Sequence, residues 1–198
     1  MSYAMNVLPF MRDVKVIVDI GAHHGDFAEA LLCVGAEIYC LEPYPYNFEM
    51  LSKRLSGRTN VKLFNYGISS FSGRILMFDD CPSTLCSFEE RWPREEFKDL
   101  FLSDRTLEVG VKSWTAFLLD IGKHPDFVKI DCEGHDTVII REILKHGFLP
   151  RFLMFEANLK KDDVLLGEIL ANGYHEIARW SLDAERGRFD IFYEITKG

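Results

Sequence analysis

The feature that most constrains the fold is the alternation of short, β-branched apolar runs with segments of helical period. The first run, VKVIVDI at residues 14–20, is nearly continuous in hydrophobicity, as a strand covered on both faces should be. The amphipathic segment that follows predicts a helix. Asp26 is the predicted N-terminal cap of this helix, and Gly35 is predicted to end it. This succession recurs along the chain and predicts an α/β fold of βαβ units, with a mostly parallel sheet and helices on both faces.

The remaining pattern extends this sheet to the end of the chain. Further strands are predicted at residues 37–42, 61–69, 73–80, 106–111, 127–131, 151–157, 175–182 and 188–195. The last two follow each other without a helix between them, which predicts an antiparallel end to the sheet. Residues 81–105 show neither pattern, and a loop of that length predicts an insertion or a substrate lid. With no repeat or linker, residues 1–198 are interpreted as one domain with a core at about 14–195.

Composition narrows the classes of partner. The net charge of -8 over 198 residues argues against a nucleic-acid partner, because such binding depends on neutralising phosphates with Lys and Arg. No apolar run approaches the ~20 residues of a membrane span, and the N-terminus lacks the pattern of a secretory signal. Five cysteines without a C-x-x-C pair argue against a disulfide framework and a structural zinc site. We therefore expect a cytoplasmic protein without a membrane partner.

The loop after the first strand, VDIGAHHGDF at residues 18–27, has the pattern D-x-G-x-x-x-G with Asp19, Gly21 and Gly25. It lacks the G-x-G-x-x-G pattern of dinucleotide-binding loops, because His23 stands where the second glycine should be. A carboxylate here would repel a pyrophosphate but suits a cation, such as the sulfonium of S-adenosylmethionine. The adjacent His23 and His24 would face different ways and form a poor metal chelate, so we expect them to shape the mouth of the cofactor site.

Two further groups of acids fall at predicted strand ends. Glu42 closes the second strand, where an acid can accept hydrogen bonds from both ribose hydroxyls of a cofactor. The segment KIDCEGHD at residues 129–136 and Glu156 on the next strand supply the second group. Because ligands of open α/β sheets bind outside the carboxyl ends of the strands, both groups should face one crevice. Within the second group, Asp136 is the predicted cap of a helix that begins at Thr137.

At these motifs the chain resembles the FkbM family of S-adenosylmethionine-dependent methyltransferases. The similar stretches are VDIGAHHGDF, CLEPYPYNFEML, LFNYGIS, VKIDCEGHD and LMFEAN, in the family's order and within about residues 14–195. The resemblance implies a class I methyltransferase (Rossmann-like) fold with a seven-stranded sheet whose last strand is antiparallel. It also implies O-methylation, commonly of sugar or polyketide hydroxyls. The chain departs from the family at Asp136, where the family has Glu, and at residues 81–105, which match nothing in it.

The resemblance also implies roles for individual residues. Asp19, Gly21 and Gly25 match the loop at the methionine end of the cofactor, Glu42 matches the ribose acid, Asn65 and Gly67 match the adenine side, and Asp131, Glu133, Gly134 and His135 match the motif beneath the transferable methyl group. Because N-methyltransferases that act on bases or amides usually carry an N-P-P-Y-type turn where this chain has DCEG, the acceptor atom is expected to be an oxygen.

Several alternatives stay open at the level of sequence. An alcohol acceptor needs a base for its proton, and His135 or Asp131 is the candidate. Glu133 and Glu156 are expected to bind substrate, or to hold a divalent metal together with Asp131. The acceptor is expected to be a small molecule or a saccharide, and a homodimer is left open. The other functions are a nicotinamide-dependent oxidoreductase and a cofactor-binding interaction domain without catalysis.

Overall fold

The computed structural model describes residues 4–78, 88, 105–159, 161–185 and 187–195. The predicted insertion at residues 81–105 lies outside these residues except for Phe88 and Arg105. The strands are β1 (Val16–Ile20), β2 (Glu37–Leu41), β3 (Val61–Phe64), β4 (Gly67–Ser69), β5 (Gly73–Phe78), β6 (Thr106–Ser113), β7 (Phe127–Ile130), β8 (Phe152–Asn158), β9 (Tyr174–Asp183) and β10 (Arg188–Ile195). The α-helices are α1 (Ala4–Val7), α2 (Asp26–Ala30), α3 (Pro45–Leu55), α4 (Trp114–Ile121), α5 (Asp136–His146) and α6 (Asp163–Ala171), with 3-10 turns at Leu8–Phe10 and Leu32–Val34.

Seven strands form the main sheet, in the order β3-β2-β1-β7-β8-β10-β9. The neighbours from β3 to β8 are parallel, and β10 is antiparallel to both β8 and β9. This confirms the predicted mostly parallel sheet with an antiparallel last strand. The chain leaves β1 toward one edge and returns to pair β7 on its other side, so the strand order reverses between β1 and β7. A ligand crevice is expected at such a reversal.

The core lies in two layers, one on each face of the main sheet. All residues of β1 and β7 are buried, because both layers cover these two central strands. On one face α4, α5 and α6 contribute side chains such as Trp114, Ile140 and Ile169. On the other face α1, α2 and α3 contribute side chains such as Ala28 and Leu51. The prediction of helices on both faces is therefore confirmed.

No helix in the described ranges is long and apolar enough to cross a membrane.

A second, three-stranded sheet, β4-β6-β5, departs from the sequence prediction. Residues 61–69 were expected to form one strand that runs into a loop, but they divide into β3 and β4. The side-chain amide of Asn65 donates to the carbonyl oxygens of Glu42 (2.9 Å) and Pro43 (3.3 Å), which holds the chain where it leaves the main sheet. β4 then pairs with β6 in parallel. This pairing places Gly67 beside Pro43, next to the carboxyl end of β2.

The two predicted carboxylate caps are wrong. Gly25, not Asp26, precedes α2, and the Asp26 carboxylate pairs with Arg54 instead of a backbone N–H. Asp136 is the first residue of α5 and does not cap it. Its carboxylate turns back and accepts hydrogen bonds from the N–H groups of Cys132 and Gly134, both at 3.3 Å. Asp136 therefore shapes the loop before the helix.

The amino ends of the central strands are joined through Asp126. Its Oδ2 accepts hydrogen bonds from the N–H groups of Lys15 (2.8 Å) and Val16 (3.0 Å), where β1 begins. Its own N–H donates to the Val16 carbonyl (2.9 Å), and its carbonyl accepts from the N–H of Phe152 on β8 (2.8 Å). This residue therefore aligns β1 with β7 and β8, and so sets which residues meet at the opposite end of the sheet.

We expect Asp126→Ala to lower the free energy of unfolding by about 1–3 kcal/mol, because two strand N–H groups lose their acceptor. Asp126→Asn should lower the free energy of unfolding much less. A single carboxylate oxygen accepts both hydrogen bonds, and the asparagine amide keeps one oxygen that can do so. Urea unfolding followed by circular dichroism measures the difference. Equal stability of the alanine variant and the unsubstituted protein would contradict this assignment.

Candidate active site

A cavity of about 210 Å³ opens at the carboxyl edge of the main sheet, where the strand order reverses. Its apolar wall is formed by Ile20, Pro43, Ile68, Met77 and Phe88, and its polar wall by His23, Glu42, Asn47, Asp131 and Glu133, with Gly21 and Gly67 between them. Five of the predicted site residues therefore meet here: Gly21, Glu42, Gly67, Asp131 and Glu133. The others, Asp19, Gly25, Asn65, Gly134, His135 and Glu156, lie outside the wall of this cavity.

Gly21 lies where the ends of β1 and β7 make their closest approach. Its φ of +76° is unfavourable for L side chains, and a Cβ there would stand 1.9 Å from the carbonyl oxygen of Asp131. Gly25, with φ of +86°, faces α3 instead, because a Cβ there would meet the side chain of Leu51 at 2.7 Å. The first glycine therefore shapes the cavity wall, and the second packs the loop onto a helix.

Glu42 joins the first two loops of the site. It is only 4% exposed, and its Oε2 accepts the N–H of His23 (2.8 Å) while its Oε1 accepts the N–H of Tyr44 (2.9 Å). Burial raises its pKa to about 7, against the opposing effect of these two bonds. Each carboxylate oxygen has a second lone pair, so Glu42 can accept further hydrogen bonds from a ligand in the cavity.

The side of the cavity beyond Glu42 depends on Gly67. A Cβ at this position would stand 3.1 Å from Cζ of Phe88 and 3.5 Å from Cγ of Pro43. The missing side chain lets Phe88 and Pro43 pack close to the Gly67 backbone. Together with Ile68 and Met77, they form the apolar part of the cavity wall. Asn65 acts from outside, since its bonds to the carbonyl groups of Glu42 and Pro43 hold this wall in place.

A buried charged cluster, Asp19–Lys129–Asp131, lies below the glycine loop. The Lys129 Nζ is 3.2 Å from Oδ1 of Asp19 and 3.3 Å from Oδ2 of Asp131. Asp19 is fully buried, and burial raises its pKa while Lys129 opposes that rise. Burial alone would lower the pKa of Lys129, but the two carboxylates raise it above its ordinary value. The acid of the glycine motif thus faces a lysine inside the fold, and Asp131 faces the cavity.

Sequence reasoning missed Lys129, although its signal was present. A lysine between the apolar residues of a central strand is costly to bury, and such a residue requires a partner. Sequence reasoning also missed Asn47, which lines the cavity and is 3% exposed. Its Oδ1 lies 3.2 Å from Nε2 of His24, an interaction between α3 and the loop that no local pattern reveals.

The two loop histidines stack on each other, with ring centroids 3.8 Å apart. His23 has a φ of +50° and lines the cavity. Burial, followed by the neighbouring His24, lowers the pKa of His23 to about 4, so its ring is neutral near pH 7. His23 therefore adds a flat, uncharged ring to the wall of the cavity.

His135, one of the two predicted bases, lies behind the cavity wall. It is 5% exposed, and its Nε2 is 3.1 Å from Oγ of Ser69, a buried residue on β4. Its ring also meets Phe88 edge-on, with ring centroids 5.0 Å apart. His135 therefore joins the loop after β7 to the second sheet. Asp131, in contrast, has a side chain that is 48% exposed.

A second cavity of about 120 Å³ adjoins the first and shares Asp131 and Glu133 with it. Its other acidic wall residues are Asp136, Glu156 and Asp162. Burial and then the Asp131 charge raise the pKa of Asp136 to about 7. Glu156 forms an ion pair with Arg188, with 2.6 Å between Oε1 and Nε. Glu156 thus belongs to this acidic second cavity rather than to the first.

The proposed metal ligands Asp131, Glu133 and Glu156 do not form a coordination site together. In the described part of the chain, no three His, Cys, Asp or Glu side chains are placed to hold a metal ion.

Comparisons with known proteins agree with this geometry. The model of the methyltransferase FkbM domain matches residues 19–180. Among solved structures, a ribosomal protein L11 methylase from Lactobacillus delbrueckii subsp. bulgaricus is 9% identical (TM-score 0.58; 98% of this chain and 77% of that chain). An rRNA methylase from Streptococcus thermophilus is 13% identical (TM-score 0.54; 93% and 89%). The glycopeptide N-methyltransferase MtfA, complexed with sinefungin, is 11% identical (TM-score 0.54; 99% and 86%).

These low identities establish the class I methyltransferase fold alone. A search of curated proteins gave no significant match.

The approach of Gly21 to β7 gives a prediction with a matched control. Gly35 has the same φ of +76°, but no atom lies within 4 Å of the Cβ position. Gly35→Ala should therefore cost only the backbone strain, about 1–2 kcal/mol. Gly21→Ala should cost a further ~1–3 kcal/mol, because the new methyl group must displace the Asp131 backbone. Urea unfolding compares the two variants, and equal losses would contradict the close contact.

Proposed function

The chain belongs to the FkbM methyltransferase family, and we propose that it transfers a methyl group from S-adenosylmethionine to a hydroxyl group of a small molecule or saccharide. The observation that carries the proposal is the cavity at the β1–β7 reversal, which has the glycine loop on one side and Glu42, Asp131 and Glu133 around it. Family membership argues against the nicotinamide-dependent oxidoreductase considered from the sequence.

The walls of the cavity fit the three parts of this cofactor. The apolar wall of the cavity, formed by Pro43, Ile68, Met77 and Phe88, suits the flat adenine ring. Glu42 suits the ribose hydroxyls, which donate hydrogen bonds to a carboxylate. The backbone at Gly21 and the nearby Asp131 suit the positively charged methionine end. When bound, S-adenosylmethionine supplies a methyl group on a sulfonium whose sulfur leaves as a neutral thioether.

Three residues that the resemblance places at the cofactor are proposed to act from outside the cavity. Asp19 holds Lys129 beneath the glycine loop. Gly25 seats that loop on α3, and Asn65 holds the carbonyl groups of Glu42 and Pro43. Their substitution should therefore affect cofactor binding through the shape of the site.

Of the two candidate bases, the geometry favours Asp131. Its side chain is half exposed and lines both cavities, so it can reach a hydroxyl in the second cavity that points toward a methyl group in the first. As the bond between the acceptor oxygen and the methyl carbon forms and the carbon–sulfur bond breaks, the hydroxyl proton passes to the Asp131 carboxylate. His135 is buried against Ser69 and Phe88, which supports a role in holding the loop.

The second cavity supports a hydroxyl-rich acceptor. Carboxylates accept hydrogen bonds from hydroxyl groups, so a saccharide or another polyol would find several acceptors beside Asp131, at Glu133, Glu156 and Asp162. The same carboxylates would repel the phosphates of a nucleic acid, in agreement with the net charge of -8.

Isothermal titration should show binding of S-adenosylmethionine and S-adenosylhomocysteine, and none of NAD. Glu42→Gln should weaken binding about tenfold or more, because the ribose loses hydrogen bonds to a charged acceptor. The pKa of Glu42 is about 7, so the carboxylate form grows as pH rises. Affinity of the unsubstituted protein should therefore increase from about pH 6 to about pH 8, and this increase should be smaller in Glu42→Gln.

Glu49→Gln is the matched control, because Glu49 lies on the exposed side of α3 and its carboxylate forms an ion pair with Lys53. It should bind S-adenosylmethionine like the unsubstituted protein. Binding of NAD alone would overturn the methyltransferase proposal, and identical pH profiles with and without Glu42 would overturn its assignment to the ribose.

Asp131→Asn should lower kcat by about 10²–10⁴-fold when a library of hydroxyl compounds is screened for S-adenosylhomocysteine release, because the base is lost. His135→Ala should mainly lower stability, which thermal unfolding measures. If both variants bind cofactor normally and keep full turnover, the assignment of the base is wrong. Cofactor binding without turnover on any hydroxyl compound would favour the interaction domain without catalysis.

A further inference from the structure

Lys129 makes more contacts within the site than an ion pair with a single carboxylate would need. Its Nζ lies 3.2 Å from Oδ1 of Asp19, 3.3 Å from Oδ2 of Asp131 and 3.2 Å from the carbonyl oxygen of Gly21. Its side chain is only 11% exposed, so water competes little for these contacts. One ammonium group thus connects a buried acid with two residues that line the cavity.

Stability alone does not account for this arrangement. Every other residue of β7 is buried and apolar, and Asp19 on β1 is paired in register with Lys129. Replacing such a buried ion pair with apolar side chains is often neutral or stabilising, so strand packing by itself does not require a lysine. The contacts that apolar side chains could not reproduce are those with Asp131 and with Gly21.

Those two contacts act on the groups that the proposed reaction needs in fixed places. Asp131 is half exposed, and a half-exposed carboxylate without a partner samples several rotamers. The Gly21 carbonyl belongs to the loop that packs directly against the Asp131 backbone. Because a small misplacement of reacting groups lowers the rate strongly, a rigid ammonium group between them has a direct effect on methyl transfer.

We propose that Lys129 is a positioning residue of the methyl-transfer site, which holds the Asp131 carboxylate and the Gly21 carbonyl in one arrangement in addition to neutralising Asp19. This inference rests on the proposed function and adds to it a residue that touches neither cofactor nor acceptor. It also gives Asp19 an indirect role, since Asp19 anchors the lysine from below.

The test must separate positioning from charge neutralisation. Lys129→Met alone leaves the Asp19 charge buried without its counter-charge and should lower the unfolding temperature. Asp19→Asn/Lys129→Met removes both charges and should recover most of that loss. The double variant should still bind S-adenosylhomocysteine about tenfold more weakly or worse, and lose about tenfold or more in kcat on any acceptor found. Hydrogen exchange should also become faster at residues 20–25 and 131–134, with β9 and β10 unchanged.

Glu168→Gln/Arg141→Met is the matched control, because it removes an ion pair between α5 and α6, outside both cavities. It should leave binding of S-adenosylhomocysteine and hydrogen exchange in the two loops unchanged. Full recovery of stability, binding and exchange in Asp19→Asn/Lys129→Met would overturn the inference, because Lys129 would then serve Asp19 alone. If the unsubstituted protein binds no S-adenosylhomocysteine but the two loops exchange faster in the double variant, the proposed function fails while the positioning role stands.

Discussion

The close approach of two backbone segments at Gly21 is the constraint on which the site depends. A side chain there would collide with the Asp131 carbonyl oxygen, so the ends of β1 and β7 can meet only because residue 21 has none. Their contact places the glycine loop and the KIDCEGHD loop on two sides of one cavity. At the opposite end, Asp126 fixes the alignment of the same strands. The cavity is thus a consequence of strand register, set at both ends of β1.

Burial of charge is the second constraint on the site. Several of its ionisable side chains are buried rather than exposed to the cavity. Asp19, Glu42 and Asp136 are all buried near the carboxyl edge, and each has a raised pKa because the interior disfavours its charge. Two kinds of contact tie them to the loops: a lysine for Asp19, and backbone N–H groups for Glu42 and Asp136. Their bonds hold the loops, and the half-exposed Asp131 is the carboxylate that we propose as the base.

The sequence predicted the main sheet well because its signals are local. The β-branched runs, the glycine loop and the acids at strand ends each occupy a few adjacent residues. The lack of a helix between the last two strands predicted the antiparallel end, and the family resemblance agreed with it. The second sheet escaped prediction because β4 has three residues, and its separation from β3 depends on Asn65 reaching back to residues 42 and 43. The burial of His135 escaped it too, since Ser69 and Phe88 are distant in sequence. Contacts of this kind depend on tertiary packing, and the spacing of residues along the sequence does not predict them.

Asp131 lines both cavities, so under the proposed function it would connect cofactor binding to the choice of acceptor. In the proposed reaction, one carboxylate lies near a cationic sulfonium and also takes a hydroxyl proton. Its position must therefore be fixed by a contact on the side away from both ligands. Lys129 occupies that place. A sulfonium is already an activated leaving group, so the protein has little covalent chemistry to perform and its contribution is alignment. In the role that we propose for Lys129, the charged cluster below the loop is the part of the fold that supplies this alignment.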